Sequence, residues 1–139
     1  MRWADQLIKL SNFELDLLQV RLAQIVERRE RAEMKLVVLT AEGEAETAFA
    51  RTDAEAARSL GAFREGLKLR KETAQREIDL ALVEESGARE ALAEAFETLK
   101  KYEHVAEANR VAVARESARR ETAVLDEMGL RRAAGAQRR

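Results

Sequence analysis

The chain has 139 residues, a formal net charge of −1, no cysteine and no proline. Charged residues make up 37% of it and aromatics only 4%, so alanine carries much of the apolar content, and the composition favours long helix or coiled coil over an aromatic-filled globule. The lack of thiols excludes disulfides, thiol catalysis and thiolate metal sites. A charge close to neutral gives no overall bias toward nucleic acid.

The opening Met1-Arg2-Trp3-Ala4-Asp5 leads into no apolar core of signal-peptide type. The longest strongly apolar run, Leu36-Val37-Val38-Leu39, is too short to cross a bilayer. A soluble, cytoplasmic chain is expected. From Ile8 a heptad frame holds, with Ile8, Leu15, Leu22, Arg29 and Leu36 in one row and Ser11, Leu18, Ile25, Ala32 and Leu39 in the other. A repeat of this kind keeps one stripe facing a partner helix. The stripe fades at Gly43 and Glu46, and residues 40–59 hold few large apolar side chains besides Phe49.

A second frame begins at Leu60 and runs unbroken to Val113. One row is Leu60, Leu67, Ala74, Ala81, Ala88, Ala95, Tyr102 and Asn109; the other is Arg64, Lys71, Ile78, Glu85, Leu92, Leu99, Ala106 and Val113. The alanines let a second helix approach closely, and leucines from the first helix fill the space. The two frames together predict an all-α fold, a long antiparallel two-helix coiled-coil hairpin forming one domain over residues 1–139. Helix one is expected over about 3–58, the turn at about 59–62, helix two over about 63–128 and a basic tail over 129–139.

Gly61, with Gly66 shortly after, is the expected point of reversal, because glycine tolerates the left-handed conformation that ends helices. Thr52-x-x-Glu55 has the form of a capping box and offers a rival boundary, with a short extra helix over residues 53–60. Ser11-x-x-Glu14 has the same form, which would set residues 1–10 apart. A turn at Gly61 pairs residues whose numbers add to twice 61, about 122. Leu22 then faces Leu99, Leu36 faces Ala88 and Glu85, and Arg29 lies near Leu92 with Glu90 or Glu94 as its partner. A charged seam residue costs stability but fixes register. Each arm would extend roughly 80 Å at about 1.5 Å per residue, with residues from about Glu121 onward outrunning the first helix.

Nothing in this pattern assembles an active site. His104, the single histidine, has Lys101 where a helical metal motif needs a carboxylate. No glycine-rich phosphate loop is present. Adjacent carboxylates such as Glu84-Glu85 and Asp126-Glu127 point about 100° apart on a helix and lack an apolar pocket to raise a pKa. Ser11, Ser59, Ser86 and Ser117 have no base nearby in the sequence. The reading is a non-enzymatic protein without cofactor or metal. Interest moves to apolar residues outside the seam. Trp3, Leu7 and Phe13 either staple the start of the first helix or anchor a partner. Phe63, one position off the seam, either docks a protein or plugs the tip of the hairpin. Arg131, Arg132, Arg138 and Arg139 form a solvated end or a basic arm for an acidic surface or anionic lipid.

Trp3-Ala4-Asp5-Gln6-Leu7, the heptads from Leu15 to Leu39, and the block from Ala91 through Leu99-Lys100-Lys101-Tyr102 to Glu103 together resemble the flagellar export FliJ family, nearly end to end. The resemblance implies an antiparallel coiled coil similar to the central stalk of rotary ATPases, monomeric when alone. It implies insertion of the terminal end into the hexameric ring of the export ATPase FliI, contact with the export gate protein FlhA, and association with export chaperones. It also implies a place at the inner face of the cell membrane, without a spanning segment and without nucleic acid. On this sequence the ring-facing part is 3–22 with 105–125, including Trp3, Leu7, Phe13 and Val113. The gate-facing patch falls on Phe63 and Leu67. One and two turns on, Arg70 departs from the family pattern and Ala74 keeps it. The seam that would lock such a stalk comprises Leu15, Leu18, Leu22, Ile25, Leu36, Leu39, Ile78, Leu92, Leu99 and Tyr102. Two other readings remain: the equivalent stalk of a virulence-type secretion system, and a scaffold or tether whose charged seam positions Arg64, Lys71 and Glu85 specify another chain. A nucleic-acid-binding coiled coil using the arginine tail has little in its favour.

Overall fold

A computed structural model describes residues 2–137. Those residues form an all-α fold of two long helices, α1 over Arg2–Ala50 and α2 over Ala54–Gln137, with no strand among them. Neither helix has a stretch long and apolar enough to cross a membrane. The chain divides into two compact units, Met1–Phe13 with Phe96–Arg139, and Glu14–Ala95.

The unit of residues 14–95 is an antiparallel hairpin, and its turn is at Arg51–Asp53, ahead of the expected 59–62. The cause is a side chain. The Asp53 carboxylate accepts from the Glu55 N–H at 3.0 Å, satisfying one of the free donors of the first turn of α2. Thr52 takes no part as a cap for α2; its hydroxyl donates to the Phe49 carbonyl at the end of α1. Gly61 and Gly66 sit inside α2, and no described residue has a positive φ. The rival short helix over 53–60 is the continuous first part of α2. Ser11 is likewise no cap, being buried within α1.

The seam follows the heptads. Leu15, Ile25, Ala32 and Leu39 of α1 are buried, as are Leu67, Ala74, Ile78, Ala81 and Ala88 of α2; Leu18, Leu22, Leu36 and Leu92 are half-buried. Leu39, Leu67 and Ala74 form a buried cluster, with Leu36 and Phe63 packed against it. The register differs from a Gly61 turn. Arg29 meets Glu85, numbers that add to 114, and Leu39 meets Ala74, which add to 113. By that register Leu22 faces the Leu92 level, and the expected pairing of Leu22 with Leu99 is replaced.

At Gly43 the helices meet closely. A Cβ built there would lie 2.5 Å from Leu67 Cδ2, so Leu67 seats into the notch that glycine leaves. In the other unit, Asp5 and Ile8 of α1 lie beside Ala106, Asn109, Arg110 and Val113 of α2. Ala4, Ser11 and Leu99 are buried there and Tyr102 is half-buried. Every described residue from Ser117 on is exposed, and the helix continues through 129–137, where a tail was expected. Arg138 and Arg139 lie outside the described residues.

Replacing Gly43 by isoleucine should lower stability by about 1–3 kcal/mol, because the branched side chain enters the space of Leu67. Gly87→Ala, at an exposed helical site with nothing within 4 Å, should raise it by about 0.5–1 kcal/mol. Thermal unfolding followed by circular dichroism checks both. A Gly43→Ile variant as stable as the parent would show that the helices do not meet at residue 43.

Candidate partner-binding faces and the charged layer

The buried charge of the 14–95 seam is Glu85, near the middle of the hairpin. Arg29 Nε donates to Glu85 Oε2 at 2.6 Å and Arg29 Nη1 to Glu33 Oε1 at 2.9 Å. Arg89 Nη2 donates to Glu85 Oε1 at 2.8 Å. Both oxygens of Glu85 are thereby used, and the four side chains alternate in sign as Glu33, Arg29, Glu85, Arg89. A further pair, Arg28 with Glu84, closes the edge of this layer. Glu85 is the buried member, with its residue only 7% exposed. The Glu90 or Glu94 partners expected for Arg29 are replaced by Glu85, a consequence of the register. The hydrogen bonds from Arg89 and then Arg29 hold the Glu85 carboxyl below its ordinary value, against the opposing effect of burial.

The residues expected to meet partners fall into three kinds of place. Trp3 and Phe13 are more than half exposed, and Leu10, not singled out by the sequence, is exposed with them at 61%. The spacing of seven from Trp3 and three to Phe13 puts all three on one side of α1, roughly opposite Ala4, Ile8 and Ser11. In this stretch Ala4 and Ser11 face the seam with Ile8, while Trp3, Leu10 and Phe13 face water. Leu7 is half-buried at the border between the two sides. Val113, on α2, is 60% exposed and lines the shallow cleft with Asp5 and Ile8. The heptad step from Trp3 to Leu10 was the signal available for Leu10.

Phe63 and Leu67 separate. Leu67 is 7% exposed and belongs to the seam cluster, so the expected two-residue patch is in fact a single edge residue with Leu67 behind it. Phe63 is half-buried, packs against that cluster, and carries the Arg70 guanidinium 5.9 Å from its ring centroid. Ala74 is fully buried. Of the charged seam positions read as partner-specifying, Glu85 is satisfied within the chain, and the Arg64 guanidinium donates to the Thr47 hydroxyl across the hairpin at 3.3 Å. His104 is exposed, and the described residues hold no group of three or more side chains able to bind a metal.

Since the Glu85 carboxyl titrates lower folded than unfolded, its contribution to stability is present above its ordinary value and lost as pH falls through the folded one. The melting temperature of the parent should therefore drop between neutral pH and pH of about 3 more steeply than that of Glu85→Gln, which starts lower. Parallel slopes for the two proteins would contradict the bonding of Glu85.

No family model and no solved structure matches the chain. Curated relatives do: the Flagellar FliJ proteins of two strains of Caulobacter vibrioides are each 47% identical over 133 residues, which is 96% of this chain and 96% of theirs.

Proposed function

That the chain belongs to the flagellar FliJ family, and is a component of flagellar export, is the premise from which we propose its finer role: it is a non-enzymatic stalk that enters the ring of the export ATPase FliI, promotes its activity and couples it to the gate protein FlhA. The observation that carries this reading is the inverted first part of α1, where Ala4 and Ser11 are buried while Trp3, Leu10 and Phe13 face water. Helix pairing alone places the large residues inward; large residues placed outward are available to a partner, and aromatic anchors of this kind dominate protein interfaces.

The ring-facing surface is assigned to Trp3, Leu10 and Phe13 on α1 and to Val113 and the exposed α2 residues beyond Ser117. The gate contact is assigned to Phe63 at the edge of the hairpin, with Leu67 supporting its ring from within. Arg70, stacked on Phe63, gives that contact a positive rim. A cytoplasmic location peripheral to the membrane, and a passing role with export chaperones, follow from the same reading. The tether alternative loses ground, because Glu85 and Arg29 satisfy each other within one chain. A virulence-type stalk has no support from the relatives, which are flagellar by name.

The deciding experiment is ATP hydrolysis by the cognate export ATPase, titrated with this protein. Stimulation should saturate near one chain per ring. Trp3→Ala/Phe13→Ala should leave helicity and melting close to those of the parent, since both side chains are exposed, and should shift the half-maximal concentration upward at least tenfold. An unchanged titration with the double variant would remove the ring assignment. Phe63→Ala should cost about 1–2 kcal/mol of stability, less than a fully buried phenylalanine, and weaken binding to the gate protein in a pull-down without touching ATPase stimulation.

A further inference from the structure

One row of the hairpin seam is degenerate in register. Along α2 the row facing α1 reads Ala74, Ala81, Ala88, Ala95, four small residues at steps of seven, the first three buried and the last half-buried. Leu39 packs with Ala74, and the same register sets Ala32 at Ala81 and Ile25 at Ala88. Moving α2 by one heptad would set Leu39 at Ala81, Ala32 at Ala88 and Ile25 at Ala95. Every alanine is exchanged for an alanine. The van der Waals contacts of this row therefore do not distinguish the two registers, and the move displaces the reversal by about three to four residues toward Gly61, half of one heptad.

Outside that row the registers differ, and two of the differences are decisive. In the observed register Arg29 meets Glu85, with Glu33 and Arg89 completing the layer; one heptad on, Arg29 meets Leu92 and Glu85 loses the partner that faces it across the seam. In the observed register Leu67 fills the notch at Gly43; one heptad on, Gly43 meets Ala74 and the notch is empty. Arg29 keeps Glu33 and Glu85 keeps Arg89 on their own helices, yet each loses the opposite charge across the seam, and Arg29 meets an apolar side chain there, the costlier of the two changes.

We propose that residues 14–95 form a sliding seam held by a charged latch: the alanine row provides at least two registers one heptad apart, and the Arg29–Glu85 layer selects the one observed. The latch is a conformational device, independent of the partners proposed above. A protein or a change of charge state that draws Glu85 or Arg29 away from its mate releases α2 to step along α1, and the step changes which α2 residues lie beside a given face of α1.

The absence of cysteine in the chain makes the test direct. Ala32→Cys/Ala81→Cys reports the observed register, and Ala32→Cys/Ala88→Cys the displaced one, each by intramolecular thiol cross-linking of the isolated monomer. With the latch intact, the 32/81 pair should link fully and the 32/88 pair only in trace. In an Arg29→Leu/Glu85→Leu background, where apolar side chains suit either register, the 32/88 product should rise about tenfold or more at unchanged helicity. Reversing all four charges of the layer together should restore the single 32/81 product. A trace of 32/88 that does not rise in the leucine background, even with Leu67→Ala added, overturns the proposal. Loss of helicity and of both products there overturns it too, since the layer would then hold the helices together instead of choosing between registers.

Discussion

Close approach of two helices along a row of alanines is the constraint from which the rest of the hairpin follows. A two-helix seam covers one stripe of each helix, and no large side chain in either helix is sealed completely from water. Burial per residue is therefore small, and dispersion contacts matter in proportion to how near the backbones lie. Ala74, Ala81 and Ala88 bring them near, and Gly43 does so again where Leu67 needs room. Stability comes from the length of the seam, since no single centre exists. A seam this thin leaves most of each helix on its outer faces.

The charged layer makes sense on the same terms. A buried ion pair seldom adds stability over a well-packed apolar pair. In a seam that repeats every seven residues, though, a feature that does not repeat is the only thing able to tell one register from the next. Glu85 serves that purpose because its two oxygens are taken by cations from different directions, Arg29 across the seam and Arg89 along its own helix. A single exposed pair could be made again after a slip; this arrangement could not. The Gly43 notch acts in the same sense by shape, close to the turn, so the two ends of the stretch between them are fixed by unlike means.

The heptads made the helices and nearly all of the seam legible, from Leu15 and Ile25 to Ile78 and Leu99, because a periodic stripe has one physical meaning in a chain this charged. The turn was not legible for a related reason. Glycine is the commonest device for ending a helix, and Gly61 stood near the middle of the chain, whereas the reversal uses the Asp53 side chain and needs no left-handed residue. With the turn displaced, the register was read one heptad away, at Leu22 with Leu99. Leu22 at the Leu92 level fits the apolar rows as well, so periodicity alone could not have corrected the error. Only the partner of Glu85 and the seat of Leu67 at Gly43 tell the registers apart, and neither can be read from a periodic stripe. Leu67 was misplaced by adjacency to Phe63: four residues apart they share a side of α2, yet the seam edge runs between them.

Outer faces are then where the sequence and the packing disagree in an instructive way. Near the start of α1, pairing with α2 is made by Ala4, Ile8 and Ser11, while Trp3, Leu10 and Phe13 stay in water. Swapping the two sets would bury more apolar area at about 25 cal/mol per Å², so the arrangement is not the one that folding by itself favours. At Phe63 the conflict is milder, since the half-buried side chain packs against the cluster of Leu39, Leu67 and Ala74 and also carries Arg70 over its ring. Local choices that work against the fold usually belong to binding. On that ground we propose the terminal face and the Phe63 edge for partners, while Arg29, Glu85 and the alanine row hold the hairpin that presents Phe63.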